Sequence, residues 1–379
     1  GCHQAFLEIS GVSFFGIKAI MHNIMRSVTL PNIANLPTVL RTGRQLADAG
    51  LIADDAAKVT DLIGKRYSVA IPNQLATLIN PADPKDPIAQ QFIPNADELF
   101  ALDDEHEDPI GDDVRSPLRG LVHRYPDRVL LMPTLSCPVY CRYCFRREKV
   151  GRDAAAPSAG DIENAIDYIG NHSEIREVIL TGGDPLSLSD NRLGALLREL
   201  DEIPHLSNLR IHTRVPVALP SRITSKLIDN LQVNLPIWTL LHVNHARELT
   251  NDVANACAQL NQGGIPLLSQ SVLLRGVNDN AKTLSELFRR LVELKVKPYY
   301  LHHPDRARGT SRFRLTIREG LNLVYSLRGR ISGLCQPTYV VDIPGGFGKV
   351  PISGIRKTHD GKNWLLTDFE GRQHIYQED

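Results

Sequence analysis

The stretch Ser136–Gly151 reads S-C-P-V-Y-C-R-Y-C-F-R-R-E-K-V-G, and it places Cys137, Cys141 and Cys144 in a C-x3-C-x2-C spacing. It follows directly on an apolar strand candidate, Arg128–Met132. A tetrahedral zinc site or an ordinary four-iron cluster takes four protein ligands, and this run offers three. A cluster held by three thiolates keeps one iron open for a ligand that is not protein. Two blander readings stand beside that one here: a zinc knuckle completed by a distant histidine, and three buried thiols with no ligand at all.

Outward from this loop, short apolar strands alternate with amphipathic helices. The strand candidates after Arg128–Met132 are Glu177–Leu180, Leu209–His212, Ile237–His242, Pro266–Val272 and Pro298–Leu301. Between them lie the helical patterns Asp161–Ile169, Arg192–Leu200 and Lys282–Leu294, the last with Asn278 and Asn280 as capping candidates. Six such alternations predict an α/β fold of parallel strands with right-handed crossovers, an incomplete (β/α) barrel. Sites in such sheets gather at the carboxyl ends of the strands.

Upstream, residues 36–113 read as a helical region, with helical spacing in Thr38–Ala49 and Asp54–Ile63. Pro81–Pro94 reads as an extended connector, and the acidic run Asp103–Asp113 as a solvated loop. Residues 114–335 carry the barrel pattern. Residues 336–379 begin with the strand Tyr339–Val341, enter D-I-P-G-G-F-G-K (Asp342–Lys349) and finish as short strands around turns at Asp360–Gly361 and Glu370–Gly371. Residues 1–35 are set apart: Val12–Ile20 is apolar but too short to span a bilayer, and no function is read into it.

Across 379 residues, 43 Lys and Arg balance 43 Asp and Glu, so no global field recruits nucleic acid or a membrane surface. A small molecule or a specific protein is the expected partner. Three of the six cysteines fall in one tight run, unlike a disulfide framework, and Cys2, Cys257 and Cys335 read as isolated apolar residues. A labile cluster implies a reducing compartment, the cytoplasm.

Other strand ends carry further candidates. The second strand runs into Thr181-Gly182-Gly183-Asp184-Pro185, where paired glycines either let backbone approach a ligand or simply mark a turn. His242 and Gln270 fall at successive strand ends. Lys349 follows a glycine loop, from which a lysine reaches a carbonyl to form a Schiff base of the kind pyridoxal phosphate (PLP) uses. Taken alone, G-x-G-K reads better as a turn followed by an ordinary surface lysine. It is no P-loop, because neither Ser nor Thr follows it and no helix pattern begins there.

Together, the three-cysteine loop, G-G-D-P and D-x-P-G-G-x-G-K resemble the lysine 2,3-aminomutase family, the PLP-dependent members of the radical S-adenosylmethionine (SAM) enzymes. The resemblance runs from about Leu36 to Asp379 and includes H-R-Y-P-D-R-V-L-L (His123–Leu131), R-I-H-T-R-V-P (Arg210–Pro216), Q-S-V-L-L-R-G-V-N-D (Gln270–Asp279), P-Y-Y (Pro298–Tyr300) and V-V-D-I-P-G-G (Val340–Gly346). It implies that Cys137, Cys141 and Cys144 hold a [4Fe–4S] cluster whose open iron takes SAM, and that Lys349 binds PLP covalently. It further implies SAM contacts from Thr181, Gly182, Gly183, Asp184, His242 and Gln270, and a PLP phosphate near Arg124 and Arg128. Arg146 matches the arginine that clamps the substrate carboxylate, and Asp305 and Asp342 match the carboxylates that receive the distal ammonium of lysine. The implied fold is a six-stranded incomplete barrel with a helical N-terminal extension and a small C-terminal segment. The implied reaction is migration of the α-amino group of L-lysine to its β-carbon, started by a 5′-deoxyadenosyl radical, with flavodoxin or ferredoxin as reductant and a homo-oligomer as the assembly.

Two departures stand out. Phe347 occupies a position where the family usually has glycine, which is expected to narrow the loop beside Lys349. No cysteine follows Cys335 and Asn280 stands at the remaining ligand position, so the structural zinc of the clostridial members, and any assembly through their longer tail, is not expected here. Three rival readings remain: a β-lysine-forming enzyme dedicated to elongation factor P, a glutamate 2,3-aminomutase, and a non-catalytic electron carrier. The intact D-x-P-G-G-x-G-K favours a free-lysine enzyme over the first. Two distal carboxylates argue against the second, and the third leaves Lys349, Arg146 and both aspartates without a purpose.

Overall fold

A computed structural model describes residues 37–151 and 155–378; residues 1–36, including the apolar stretch Val12–Ile20, lie outside the described residues. A two-residue antiparallel pair, β1 (Val39–Leu40) with β2 (Ile71–Pro72), opens the N-terminal region. The antiparallel hairpin of β3 (Leu121–Tyr125) and β4 (Arg128–Thr134) then starts the main sheet. From β4 the strands run parallel through β5 (Glu177–Gly182), β6 (Asn208–Thr213), β7 (Ile237–His242), β8 (Leu267–Val272) and β9 (Val296–His302). Those are the six expected strands of the incomplete barrel, and the sheet is wider than they are. β10 (Thr338–Asp342) adds a further parallel strand beside β9, and β11 (Lys349–Pro351) closes that edge antiparallel, giving nine strands in sequential spatial order.

Local chemistry explains these elements. β5 buries four consecutive residues, Val178 to Thr181, as a strand covered on both faces requires. The crossover helices start where Ser, Thr or Asn can cap them: Ser158, Ser189, Thr250, Asn280 and Thr316 each accept an amide of the first turn. The helix Ala281–Glu293 begins at the expected place, with Leu284, Leu287, Phe288 and Leu291 buried at helical spacing against the sheet. Asn278, the other capping candidate, is instead buried and bonds Leu274, Asn244 and Val272.

Three upstream expectations need correction. Thr38–Ala49 is not continuous helix: Val39–Leu40 pairs as a strand and the helix spans Gly43–Asp48. Pro81–Pro94 is not a plain connector, because Asp86 caps the amides of Ile88 and Ala89 and starts the helix Pro87–Phe92. The acidic run Asp103–Asp113 is not simply solvated: Glu105 is 5% and Asp112 2% exposed. Its carboxylates meet arginines that sequence distance concealed.

Leu40, Leu46, Ile71, Leu75, Ile88 and Phe92 form a second apolar core that includes Val139 of the cysteine loop and Ala218. The N-terminal helices therefore serve as a buttress under that loop. At the other end, β12 (Arg356–Lys357), β13 (Trp364–Thr367) and β14 (Gln373–Tyr376) form a small antiparallel sheet. Among the described residues, no helix is long and apolar enough to cross a membrane.

Candidate active site

The cysteine loop is held mainly by residues that are not cysteine. The Tyr140 amide donates to the Ala70 carbonyl at 2.9 Å and the Arg142 amide to the Gln91 carbonyl at 2.8 Å, tying the loop to the N-terminal region. Beneath it, Glu98 receives both Arg142 and Arg147, and all three side chains are shut off from solvent. Burial opposes the charge on Glu98, yet Arg142 and Arg147 hold its carboxyl below the ordinary range. On the cavity side Arg214 donates to Cys141 Sγ at 3.3 Å.

The glycines at the end of β5 lie against the backbone that leads into the cysteine loop. A Cβ on Gly183 would stand 2.3 Å from the Ser136 carbonyl oxygen, and the Gly183 and Asp184 amides bond the Thr134 and Ser136 carbonyls at 2.8 and 2.9 Å. The glycines thus let β5 close onto the cysteine loop. The Asp184 carboxylate accepts from Thr213 Oγ1 and the Arg214 amide, both at 2.7 Å, so it latches β5 to β6.

The three cysteines, Thr181, Gly182, Gly183, Asp184, His242, Gln270, Arg146, Asp305 and Asp342 all line one cavity of about 220 Å³. Strand register explains part of this convergence: His242 lies opposite Gln270 across β7 and β8. His242 Nε2 meets the Tyr143 hydroxyl at 2.8 Å. Arg146 donates through Nη1 to Thr181 Oγ1 at 3.2 Å and through Nε to Asp112 Oδ2 at 2.8 Å.

Asp342 and Lys349 come together because they are cross-strand partners in β10 and β11, with Lys349 Nζ 3.4 Å from Asp342 Oδ1. Burial opposes ionisation of Asp342, but Lys349 and His302 beside it keep its carboxyl well below the usual range. Asp305 goes the other way, raised by burial and by the charge of Asp342. The two carboxylates facing one cavity are thus pushed in opposite directions, Asp305 by burial and the Asp342 charge, Asp342 by the cations beside it.

The glycine loop keeps its shape around Tyr125, whose hydroxyl accepts the Lys349 amide at 2.8 Å and stands 2.7 Å from where a Cβ on Gly348 would be. The Phe347 ring lies against its own loop, 3.0 Å from where a Cβ on Gly345 would be. The residue needs no positive φ, and its ring packs on His374 with centroids 4.2 Å apart. Arg124 and Arg128 are separated: Arg124 pairs with Asp112 at 2.8 Å, whereas Arg128 sits over the Tyr125 ring and pairs with Asp127.

Sequence reading missed Glu98, Asp112, Arg142, Arg214, Glu248 and His302. The signal was present for Arg142, inside the cysteine loop, and for Arg214, inside R-I-H-T-R-V-P. Nothing local marked the carboxylates.

The residues fit the groups the motifs imply. The three thiols are free and face a shared cavity. Burial raises the Cys144 thiol to about 11, so loading metal must displace protons. Near Lys349, Arg124 Nε and His212 Nε2 are buried without partners, as polar atoms awaiting a ligand would be.

Residues 131–288 match the model of the Radical SAM superfamily. L-lysine 2,3-aminomutase of Clostridium subterminale is 44% identical over 83% of this chain and 76% of that protein. L-lysine 2,3-aminomutase of Acetoanaerobium sticklandii is 42% identical over 82% of this chain and 75% of that protein. Glutamate 2,3-aminomutase of Clostridioides difficile is 37% identical over 82% of this chain and 74% of that protein. With its cysteine loop, its strand-end cavity and relatives of this identity over most of its length, the chain belongs to the lysine 2,3-aminomutase family of radical SAM enzymes.

Proposed function

We propose that this chain interconverts L-lysine and β-lysine. The observation that carries the substrate choice is the pair Asp305 and Asp342, which face one cavity beside Lys349. Two carboxylates brought together resist joint ionisation unless a cation joins them, and the lysine ε-ammonium is such a cation. The side chain of glutamate would bring a third anion to the same place. At the other end, Arg146 takes the substrate α-carboxylate, with Asp112 and Thr181 fixing the plane of its guanidinium.

Cys137, Cys141 and Cys144 hold the [4Fe–4S] cluster; Thr181, Gly182, Gly183, His242 and Gln270 receive SAM, and Asp184 holds their loop in place. Lys349 binds PLP, with Arg124 and Arg128 toward its phosphate. When bound, these groups supply a carbon radical that removes hydrogen from the substrate and a conjugated ring that steadies the migrating amine. The chain's own residues orient the substrate between Arg146 and the aspartates and exclude water around it. We place the reaction in the cytoplasm, in a homo-oligomer that draws electrons from flavodoxin or ferredoxin.

The test compares L-lysine with L-glutamate in anaerobically reconstituted protein supplied with SAM, PLP and dithionite. L-lysine should give β-lysine and L-glutamate negligible product. Asp305→Asn and Asp342→Asn each leave a buried ammonium short of a partner, at about 3–5 kcal/mol, so kcat/KM for L-lysine should fall roughly 10²–10⁴-fold while SAM still binds. Comparable turnover of the two amino acids, or near-normal kinetics in both variants, overturns the assignment.

A further inference from the structure

The segment R-I-H-T-R-V-P carries, beside the cysteine loop, an arginine, Arg214, that the reaction described above does not use. Arg214 follows β6 directly and is 5% exposed, and its amide is fixed to the Asp184 carboxylate at 2.7 Å. Its guanidinium donates to Cys141 Sγ at 3.3 Å, to the Tyr143 hydroxyl, to Gln91 Oε1 at 3.0 Å and to Glu248. It is the only guanidinium hydrogen-bonded to a cysteine sulfur among the described residues. Glu248 is fully buried and is itself fixed by the amides of Asn244 and His245 and by Gln91 Nε2 at 2.9–3.1 Å. A cation and an anion are thus set one behind the other, with the cation against the sulfur.

We propose that Arg214 and Glu248 form an opposed pair that sets the reduction potential of the cluster through Cys141. This inference rests on the reading of Cys141 as a cluster ligand. One electron from a low-potential donor adds one negative charge to the cluster, and no bond or proton is exchanged. A hydrogen bond to a ligand sulfur and a nearby positive charge both favour the reduced form, and cluster potentials respond to these two influences. Arg214 therefore raises the potential. Glu248 behind it lowers the potential while holding the guanidinium in place. Arg214 is a positioning residue: it touches the ligand, not the substrate.

The opposite signs supply the test. The clusters of the unaltered protein, Arg214→Gln, Arg214→Lys, Glu248→Gln and the double variant are titrated with dithionite and mediators and read by electron paramagnetic resonance, without lysine or PLP. Arg214→Gln should shift the reduced-to-oxidised ratio at fixed potential at least tenfold toward oxidised, about 59 mV for a one-electron couple. Glu248→Gln should shift it toward reduced, and Arg214→Lys should recover part of the loss. The double variant removes both charges, keeps the site neutral where Arg214→Gln alone loads poorly, and should lie between the two single variants. Equal midpoints throughout, or shifts of one sign in both single variants, overturn the proposal. A merely structural role predicts such same-sign loss. Absence of a four-iron cluster from the unaltered protein would instead remove the ligand assignment for Cys141, so the two failures are distinguishable.

Discussion

Replacing Glu98 by glutamine tests how the cysteine loop is held. The substitution keeps the shape and removes the charge, leaving Arg142 and Arg147 buried without a counter-ion and Arg312, 3.9 Å away, as a third cation. Removing one partner of a buried ion pair costs about 3–5 kcal/mol, because the other charge stays in low dielectric. Here one carboxylate serves two fully buried guanidiniums, which places the loss toward the upper end. At about 2–4 °C per kcal/mol for a domain of 150–250 residues, the thermal midpoint of metal-free protein at pH 7 should drop on the order of 10 °C. The folded-state pKa of Glu98 is lowered, so its contribution is present above the unfolded value of about 4.3 and is lost as pH falls through the lower folded value. The gap between Glu98→Gln and unaltered protein should therefore narrow at acid pH. Melting curves at pH 7 and pH 3, with iron content after anaerobic reconstitution, provide the assay. A Glu98→Gln protein that melts within about 1 °C of the unaltered one at pH 7, or a gap of the same size at pH 3, refutes the reasoning.

Lys349→Ala should retain iron and cleave SAM, but borohydride reduction should no longer fix PLP to the chain; peptide mapping that finds the label on another lysine removes Lys349 from the role. Asp112→Asn should raise KM for L-lysine roughly 10–100-fold with little change in SAM cleavage, because Arg146 and Arg124 lose the carboxylate that orients them. An unchanged KM in Asp112→Asn would show that Thr181 alone suffices to orient Arg146.

The barrel strands were legible because parallel strands buried on both faces leave uninterrupted apolar runs such as Val178–Leu180. The gathering of the three cysteines, His242 and Gln270 around one cavity was legible because sites in parallel sheets collect at the carboxyl ends of the strands. The helix Pro87–Phe92 was missed because prolines on either side read as breakers, although Asp86 followed by Pro87 is a good helix start. Why a phenylalanine is tolerated in this glycine loop was not legible, because the reason is a dihedral angle: of Gly345, Gly346, Phe347 and Gly348, it alone lies outside the positive-φ region and so needs no glycine.

The buried carboxylates were illegible for a deeper reason. Asp112 lies 34 residues from Arg146, Glu98 lies 44 from Arg142, and Glu248 lies 34 from Arg214. A carboxylate that will meet a guanidinium at such a distance looks the same in sequence as one facing water. Yet the arginines beside the cysteines imply them. Arg142, Arg146, Arg147 and Arg214 are all buried around the cysteine loop. Isolated charges in such a place are too costly to keep. Each must therefore be matched by a carboxylate from another element before any ligand arrives, and Glu98, Asp112 and Glu248 come from three separate parts of the chain to do so. Asp112 differs from the other two in serving arginines that the substrate and the PLP phosphate would also engage. Its grip on Arg146 leaves Nη2 of that guanidinium without a protein partner among the described residues, the donor a substrate carboxylate would need.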